Sequence, residues 1–235
     1  MRKMVTFSFD DGTLEDRRLI ELFDRYGVKG TFNLNSGKWG LRRHIVHEGI
    51  PVDHFVIERE EAATLYRNHE VAAHTVTHPN LVNLLARSEE AVIREVADDV
   101  KALEALTGQR ILGMAYPGAG LYYTQEVADV IVANTPIRYA RGCKNHHTFK
   151  LPENLMLWEP TCHQNDPRLL ELADEFLQAD ASEDRLFYVW GHSFEFTKFQ
   201  SWDYFETFLK KIAGHEADGV EYVTNGEVAE YILAR

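Results

Sequence analysis

The chain has 235 residues, 45% hydrophobic and 26% charged, a composition that excludes collagen, coiled coil and disorder and suits one globular domain over residues 1–235. Its 25 Lys and Arg against 37 Asp and Glu leave a formal charge of −12 without a basic block, so nucleic acid is not an expected partner. Cys143 and Cys162 lie in no CxxC or zinc-finger spacing, so neither a disulfide framework nor a thiolate cage is specified.

Residues 1–7 lack the apolar stretch of a secretion signal, and no later segment approaches the roughly 18 apolar residues of a membrane span. The expectation is a cytoplasmic protein with no membrane partner. In chain order, residues 4–9 read as a strand. A helix over 15–26 follows, with Leu19, Leu22 and Phe23 as its apolar stripe and Gly27 as its C-cap. Residues 28–34 read as the next strand, and 36–56, with three glycines and Pro51, as the longest irregular loop.

A helix over 58–68 precedes a short strand at 71–73. The longest helix, 88–106, starts at the N-cap Ser88 and stops at Gly108. Further strands are expected at 111–116, 137–140, 155–158, 186–190 and 221–224. Helices fall between them at 125–133, 167–178 and 204–212, with Asp166 as N-cap before Pro167, and a last helix follows Asn225. Alternation of this kind predicts an α/β fold, a distorted (β/α) barrel of seven or eight mostly parallel strands.

In a parallel barrel the reactive side chains gather at the C-terminal ends of strands. Three predicted strands finish in chemistry: Asp10-Asp11-Gly12, His74-Thr75-Val76-Thr77-His78, and Trp190-Gly191-His192. His74 and His78 are four residues apart, which on one helical turn puts both imidazoles on one face. One carboxylate and two histidines leave a divalent metal with open positions, as in a catalytic site. The remaining carboxylate and His192 could then serve as base and acid.

Taken together, Thr6-Phe7-Ser8-Phe9-Asp10-Asp11-Gly12, the HTVTH run, Met114-Ala115-Tyr116-Pro117-Gly118 and Val189-Trp190-Gly191-His192 resemble, in order, four motifs of the polysaccharide deacetylases, the carbohydrate esterase family 4 group. That resemblance implies a metal-dependent hydrolase that removes an acyl group, most simply N-acetyl from a sugar or small glycan, by attack of water held on the metal. Asp10 would be the base, His192 the acid, and Asp11, His74 and His78 the ligands, with a backbone N–H near Gly118 at the oxyanion. Zinc is the default ion, and cobalt, nickel or manganese suit the same donors.

Two departures accompany the matches. Many family members carry an arginine two residues before the third-motif proline, where this chain has Ala115, and the partnering aspartate before a tryptophan is missing between 136 and 166. Arg141 is the expected replacement cation near Asp10. Tyr116, Pro117, Gly118 and Glu195 are further candidates for substrate contact or orientation. His44 with His47, and His146 with His147, do not read as a second metal site, because no carboxylate is placed with either pair. His163 could face the pocket, Cys162 reads as a small buried residue, and most of the aromatic run from Phe194 to Phe205 reads as core. A cyclic amide or imide hydrolase of the same fold, and a carbohydrate-binding module that keeps the metal but not turnover, are the alternatives.

Overall fold

A computed structural model describes residues 1–118, 122–180 and 182–235. In chain order the elements are β1 (Lys3–Asp10), α1 (Asp16–Tyr26), β2 (Thr31–Leu34), β3 (Arg42–His47), β4 (Ile50–Phe55), α2 (Arg59–Leu65), β5 (Glu70–Ala73), α3 (Leu81–Leu85) and α4 (Glu89–Thr107). They continue with β6 (Gly113–Ala115), α5 (Gln125–Asn134), β7 (Tyr139–Arg141), β8 (Cys162–His163), α6 (Leu169–Gln178), β9 (Arg185–His192), α7 (Ser193–Lys198), α8 (Trp202–Ile212), β10 (Val220–Tyr222) and α9 (Asn225–Leu233). Helix ends follow local chemistry. Gly27 and Gly108 adopt left-handed C-caps, and Ser88 accepts from Ala91 N at the start of α4.

The main sheet is parallel, in the order β7-β6-β5-β2-β1-β9-β8, with β10 also on β1. Strand β1 is its axis: Lys3–Val5 pair with β10, Ser8–Asp10 with β2, and the whole strand with β9, from Lys3 opposite Arg185 to Asp10 opposite His192. Asp10 and His192 therefore emerge side by side at the C-terminal edge. The sheet curls into the expected distorted barrel. Trp158 bridges Arg141 at one edge while Cys162 and His163 pair with β9 at the other, so one short segment links the two edges.

Alternation along β1 divides the layers. Val5, Phe7 and Phe9 face the helices, where Phe7 lies 4.9 Å from Phe23 of α1 and Phe9 lies 6.0 Å from Phe205 of α8. Met4, Thr6, Ser8 and Asp10 face the barrel interior. There Met4 packs with Tyr139, Trp158 and Tyr188, Thr6 hydrogen-bonds Asn225, and Ser8 accepts from Asn33. The interior thus becomes more polar towards the edge that carries Asp10.

Three local expectations are corrected. Residues 36–56 contain the antiparallel hairpin β3–β4, closed by Glu48 and Gly49, both at positive φ, in the mirror-image turn that matches strand twist. Residues 155–157 form a 3₁₀ turn started by Asn154, not a strand, and only Trp158 joins the sheet. Asp166 does not cap α6 directly; its carboxylate accepts from Arg168 N one step earlier, and the helix begins at Leu169.

Candidate active site

The two adjacent carboxylates separate because the chain turns sharply between them. Asp10 ends β1 in extended backbone, whereas Asp11 and Gly12 take φ of 74° and 62°, with Asp11 N donating to Asn33 O at 3.1 Å. Asn and Asp tolerate this region, and glycine enters it freely. Asp10 consequently points into the barrel and Asp11 across its mouth.

His74 and His78 do not sit on a helical turn as the spacing suggested. They lie on a loop after β5 in which Thr75 and His78 adopt φ of 65° and 64°. Three buried or clamped groups hold that loop. Asn35 donates to the carbonyls of His74 and Thr75, Asp99 accepts from His74 N and Ser36 N, and Glu95 accepts from Thr77. Gly37 lets the β2 loop approach this segment: a Cβ there would stand 2.6 Å from Val76 O.

The result is a tight three-donor group. His74 Nε2 and His78 Nε2 lie 3.9 and 3.8 Å from Asp11 Oδ1. Those separations are too long for hydrogen bonds yet within reach of two bonds of about 2.0–2.2 Å to one shared ion. Asp11 Oδ1 and His74 Nε2 are buried and satisfied by no group among the described residues, a costly state for polar atoms unless an ion completes them. His74 Nδ1 lies 2.9 Å from Ala115 O, which fixes the N–H on that side and leaves the Nε2 lone pair facing the group. Burial lowers the basicity of both imidazoles, His78 to about 3, where the neighbouring His74 adds to the effect; neutral imidazole is the ligating form. The donor set therefore fits a divalent cation.

Asp10 lies just below. Its Oδ1 accepts from Asn33 Nδ2 at 2.8 Å, and its Oδ2 is salt-bridged to Arg141 Nη2 with both side chains buried. Burial pushes the Asp10 carboxyl up, but Arg141, then His74 and His192, outweigh it and hold it below its ordinary value. Arg141 ends β7 directly opposite Ala115 of β6, so a cation absent from one strand is supplied by its neighbour. The guanidinium also donates to Gly142 O and stacks 4.5 Å over Trp190.

His192 faces Asp10 from β9, with Nε2 3.9 Å from Asp10 Oδ2. Its Nδ1 lies 3.5 Å from Glu195, which the first turn of α7 buries between His192 and His163, 3.0 Å from His163 Nε2. Burial works against a charged imidazole at His192, but Glu195, then Asp10 and Asp11, raise its pKa to about 9. Burial likewise opposes the Glu195 charge, and His163 and His192 overcome it, leaving the carboxyl well below its usual range. His163, His192 and Glu195 form a second close-set donor group. Unlike the first, it contains an ion-pair contact of its own, His163 Nε2 to Glu195 at 3.0 Å.

These groups open onto a cleft of about 350 Å³. One wall is the hairpin, whose alternation turns Arg43, Ile45 and His47 inward. His54, opposite Arg43 in the register, reaches Asp11 Oδ2 at 3.0 Å and is nearly buried. Sequence reasoning missed His54 and Lys38 because both fall in a stretch without apolar periodicity.

Other candidates fall elsewhere. Tyr116 is core: its ring stacks on Tyr123 at 4.9 Å and its hydroxyl donates to Met156 O. Pro117 is buried beside it, and Gly118, at φ 80°, lines the cleft. His44 does have a carboxylate partner, Asp53 across the hairpin at 2.6 Å, and His147 has Asp166 at 2.6 Å. Among the described residues neither pair joins a group of three donors. Cys162 is buried, as are Phe194, Phe196, Trp202 and Phe205, with Phe194 also reaching the cleft.

Comparison with known proteins agrees with this architecture. Residues 1–140 match the family model described as polysaccharide deacetylase. No curated protein sequence matches the chain. Among solved structures, the Xyl-CE4 domain of a multidomain xylanase from the hindgut metagenome of Trinervitermes trinervoides superposes with a TM-score of 0.59 at 17% identity, over 99% of this chain and 92% of that one. A family 4 acetyl xylan esterase from Clostridium thermocellum, solved with a cobalt ion, gives 0.56 at 16% identity, covering 97% and 91%. A CE4 family pseudoenzyme from Bacillus anthracis gives 0.59 at 18%, covering 97% and 66%, so this fold also occurs without activity. The match over residues 1–140, more than half of the sequence, establishes that the chain belongs to the polysaccharide deacetylase family.

Proposed function

We propose that the protein is a metal-dependent hydrolase that removes an acyl group, most simply acetyl from an N-acetylated sugar or small glycan, with Asp10 as base and His192 as acid. The observation that carries this reading is the convergence of Asp11, His74 and His78 on one point while Asp10 and His192 face each other beside it, with Asp10, Asp11, His78 and His192 lining one cleft.

Asp11, His74 and His78 would hold the cation, zinc by default, and a divalent ion there would polarise an acyl carbonyl and make water easier to deprotonate. Asp10, ionised because Arg141 stabilises its charge, accepts the proton from the attacking water. His192, kept protonated by Glu195, delivers a proton from Nε2 to the departing nitrogen. The backbone N–H near Gly118 is the oxyanion donor in this scheme. His54 fixes the second oxygen of Asp11, so that only Oδ1 turns towards the two imidazoles.

The test is acetate release from N-acetylated sugars by protein loaded with zinc, cobalt, nickel or manganese. Asp10→Asn is expected to lower kcat by about 10²–10⁴-fold while metal affinity stays within a few-fold. Ring opening of cyclic imides without acetate release would move the assignment to the amide hydrolases of this fold. Metal uptake with no turnover on either panel would leave a binding module.

A further inference from the structure

Two cations at the mouth of the cleft have no partner among the described residues. Lys38 is half-buried after β2, in a turn where Lys38 N donates to Asn35 O and Leu41 N donates to Lys38 O; Asn35 is itself bonded to the metal-ligand loop. Arg43 projects from the inner face of the hairpin, in register with His54. Both line the cleft that contains Asp10, Asp11 and His192. Among the described residues neither side chain makes a hydrogen bond or ion pair, whereas the cations around them do: Arg42 pairs with Glu58 at 2.6 Å and Lys198 with Glu48 at 2.7 Å.

Leaving Lys38 uncompensated has a cost, whereas Arg43 is exposed and keeps its hydration. Burial disfavours the charge on Lys38, and Arg43 acts in the same direction by repulsion. Asp11 attracts Lys38, but it is already engaged by His54 and is the proposed ligand carboxylate. In a chain of net charge −12, a cleft mouth carrying two free positive charges concentrates anions against the overall field. Leu41, Ile45, Trp190 and Phe194 add apolar lining to the same cleft, which suits a ring face.

We propose that the substrate is an anionic acylated sugar, whose carboxylate, sulfate or phosphate is received by Lys38 and Arg43 while its acyl group lies over Asp10 and Asp11. This rests on the hydrolase reading above and adds the substrate's charge to it. Arg43 supplies the planar fork that matches an oxyanion and Lys38 a second, point charge, so the pair selects charge without selecting one oxyanion.

The experiment compares N-acetylglucosamine with its 6-phosphate and its 6-carboxylate analogue on the zinc-loaded protein, by calorimetric Kd and by acetate release. At least one charged sugar is expected to bind about 10- to 100-fold more tightly than the neutral one, the range of one or two charge-assisted contacts, and to lose that advantage in high salt. In the double variant Lys38→Gln, Arg43→Gln the charged-to-neutral ratio should fall towards one with zinc content unchanged. The relative response to phosphate and carboxylate identifies the source of the charge. Equal Kd for neutral and charged sugars, no binding of either charged sugar, or a preference that survives the double variant overturns the proposal. Acetate released equally from the neutral sugar sinks the anion subsite alone, whereas a charge preference without acetate release from any sugar sinks the hydrolase reading alone.

Discussion

Replacing Glu195 by Gln keeps the size of a buried side chain and removes the negative charge 3.5 Å from His192 Nδ1 and 3.0 Å from His163 Nε2. With that charge His192 holds its proton to about pH 9. Without it, burial is opposed only by Asp10 and Asp11, and the imidazole returns to about 6.5 or lower. At pH 8 the protonated fraction then drops from about nine-tenths to about three-hundredths, a loss of about 30-fold in acid-competent enzyme. The alkaline limb of kcat/KM should therefore move down by about 2.5 pH units or more, while a His163→Gln control, which leaves the Glu195 charge in place, moves it far less. Stability should change in step. His192, raised in the folded state, contributes stability that is complete below about pH 6.5 and lost as pH rises through about 9. Glu195, lowered in the folded state, contributes stability present above about pH 4.5 and lost as pH falls through its folded value. The variant should be most destabilised, by urea midpoint, between about pH 5 and 6.5, and least above pH 9. An alkaline limb of Glu195→Gln superimposable on that of the parent would refute the pairing.

Removing Arg141 leaves the Asp10 carboxylate buried and unpaired, so Arg141→Met should lose about 3–5 kcal/mol of folding stability at pH 7 and much less near pH 4, where Asp10 can be protonated, as chemical denaturation would show. His54→Ala frees the second oxygen of Asp11 and should weaken zinc binding by about 10- to 100-fold in competition with a chelator, with His54→Gln recovering part of it. Gly37→Ala presses a methyl group against Val76 O and should displace the His74–His78 loop; a thermal scan is expected to show loss of both Tm and the zinc-induced increase in Tm.

Much of the site was legible because its carriers end strongly hydrophobic strands. Every residue of β1 is buried, so a run ending in Asp10-Asp11-Gly12 could only deliver those carboxylates to the sheet edge. The same full burial hid which alternate set faces the helices and which the barrel interior. The vacancy at Ala115 and the cation at Arg141 were visible as residues, but their compensation depends on the β6–β7 register, which no local pattern encodes.

The hairpin escaped because Arg42–His47 is solvated on one face and lines an open cleft with the other, so the buried-against-exposed contrast that marks a strand is weak. Its Glu48-Gly49 turn also lacks the Asn-Gly or Asp-Gly signal. Leu155-Met156-Leu157 misled for the opposite reason: an apolar run this short fits a 3₁₀ turn as well as a strand. His74 and His78 were correctly paired by spacing but through the wrong geometry, since left-handed residues, not a helical turn, bring the imidazoles together. Glu195 carries no burial signal of its own in the sequence, because the packing of α7 against β9 is what buries it.

The decisive measurement is the metal content of the purified protein after equilibration with zinc, cobalt, nickel or manganese and removal of free ion. One ion per chain is predicted, retained by Asp10→Asn and lost from Asp11→Asn and from His74→Gln. A protein that takes up none of the four, or that keeps its ion after both His74 and His78 are replaced, would contradict the convergence on which the chemistry depends.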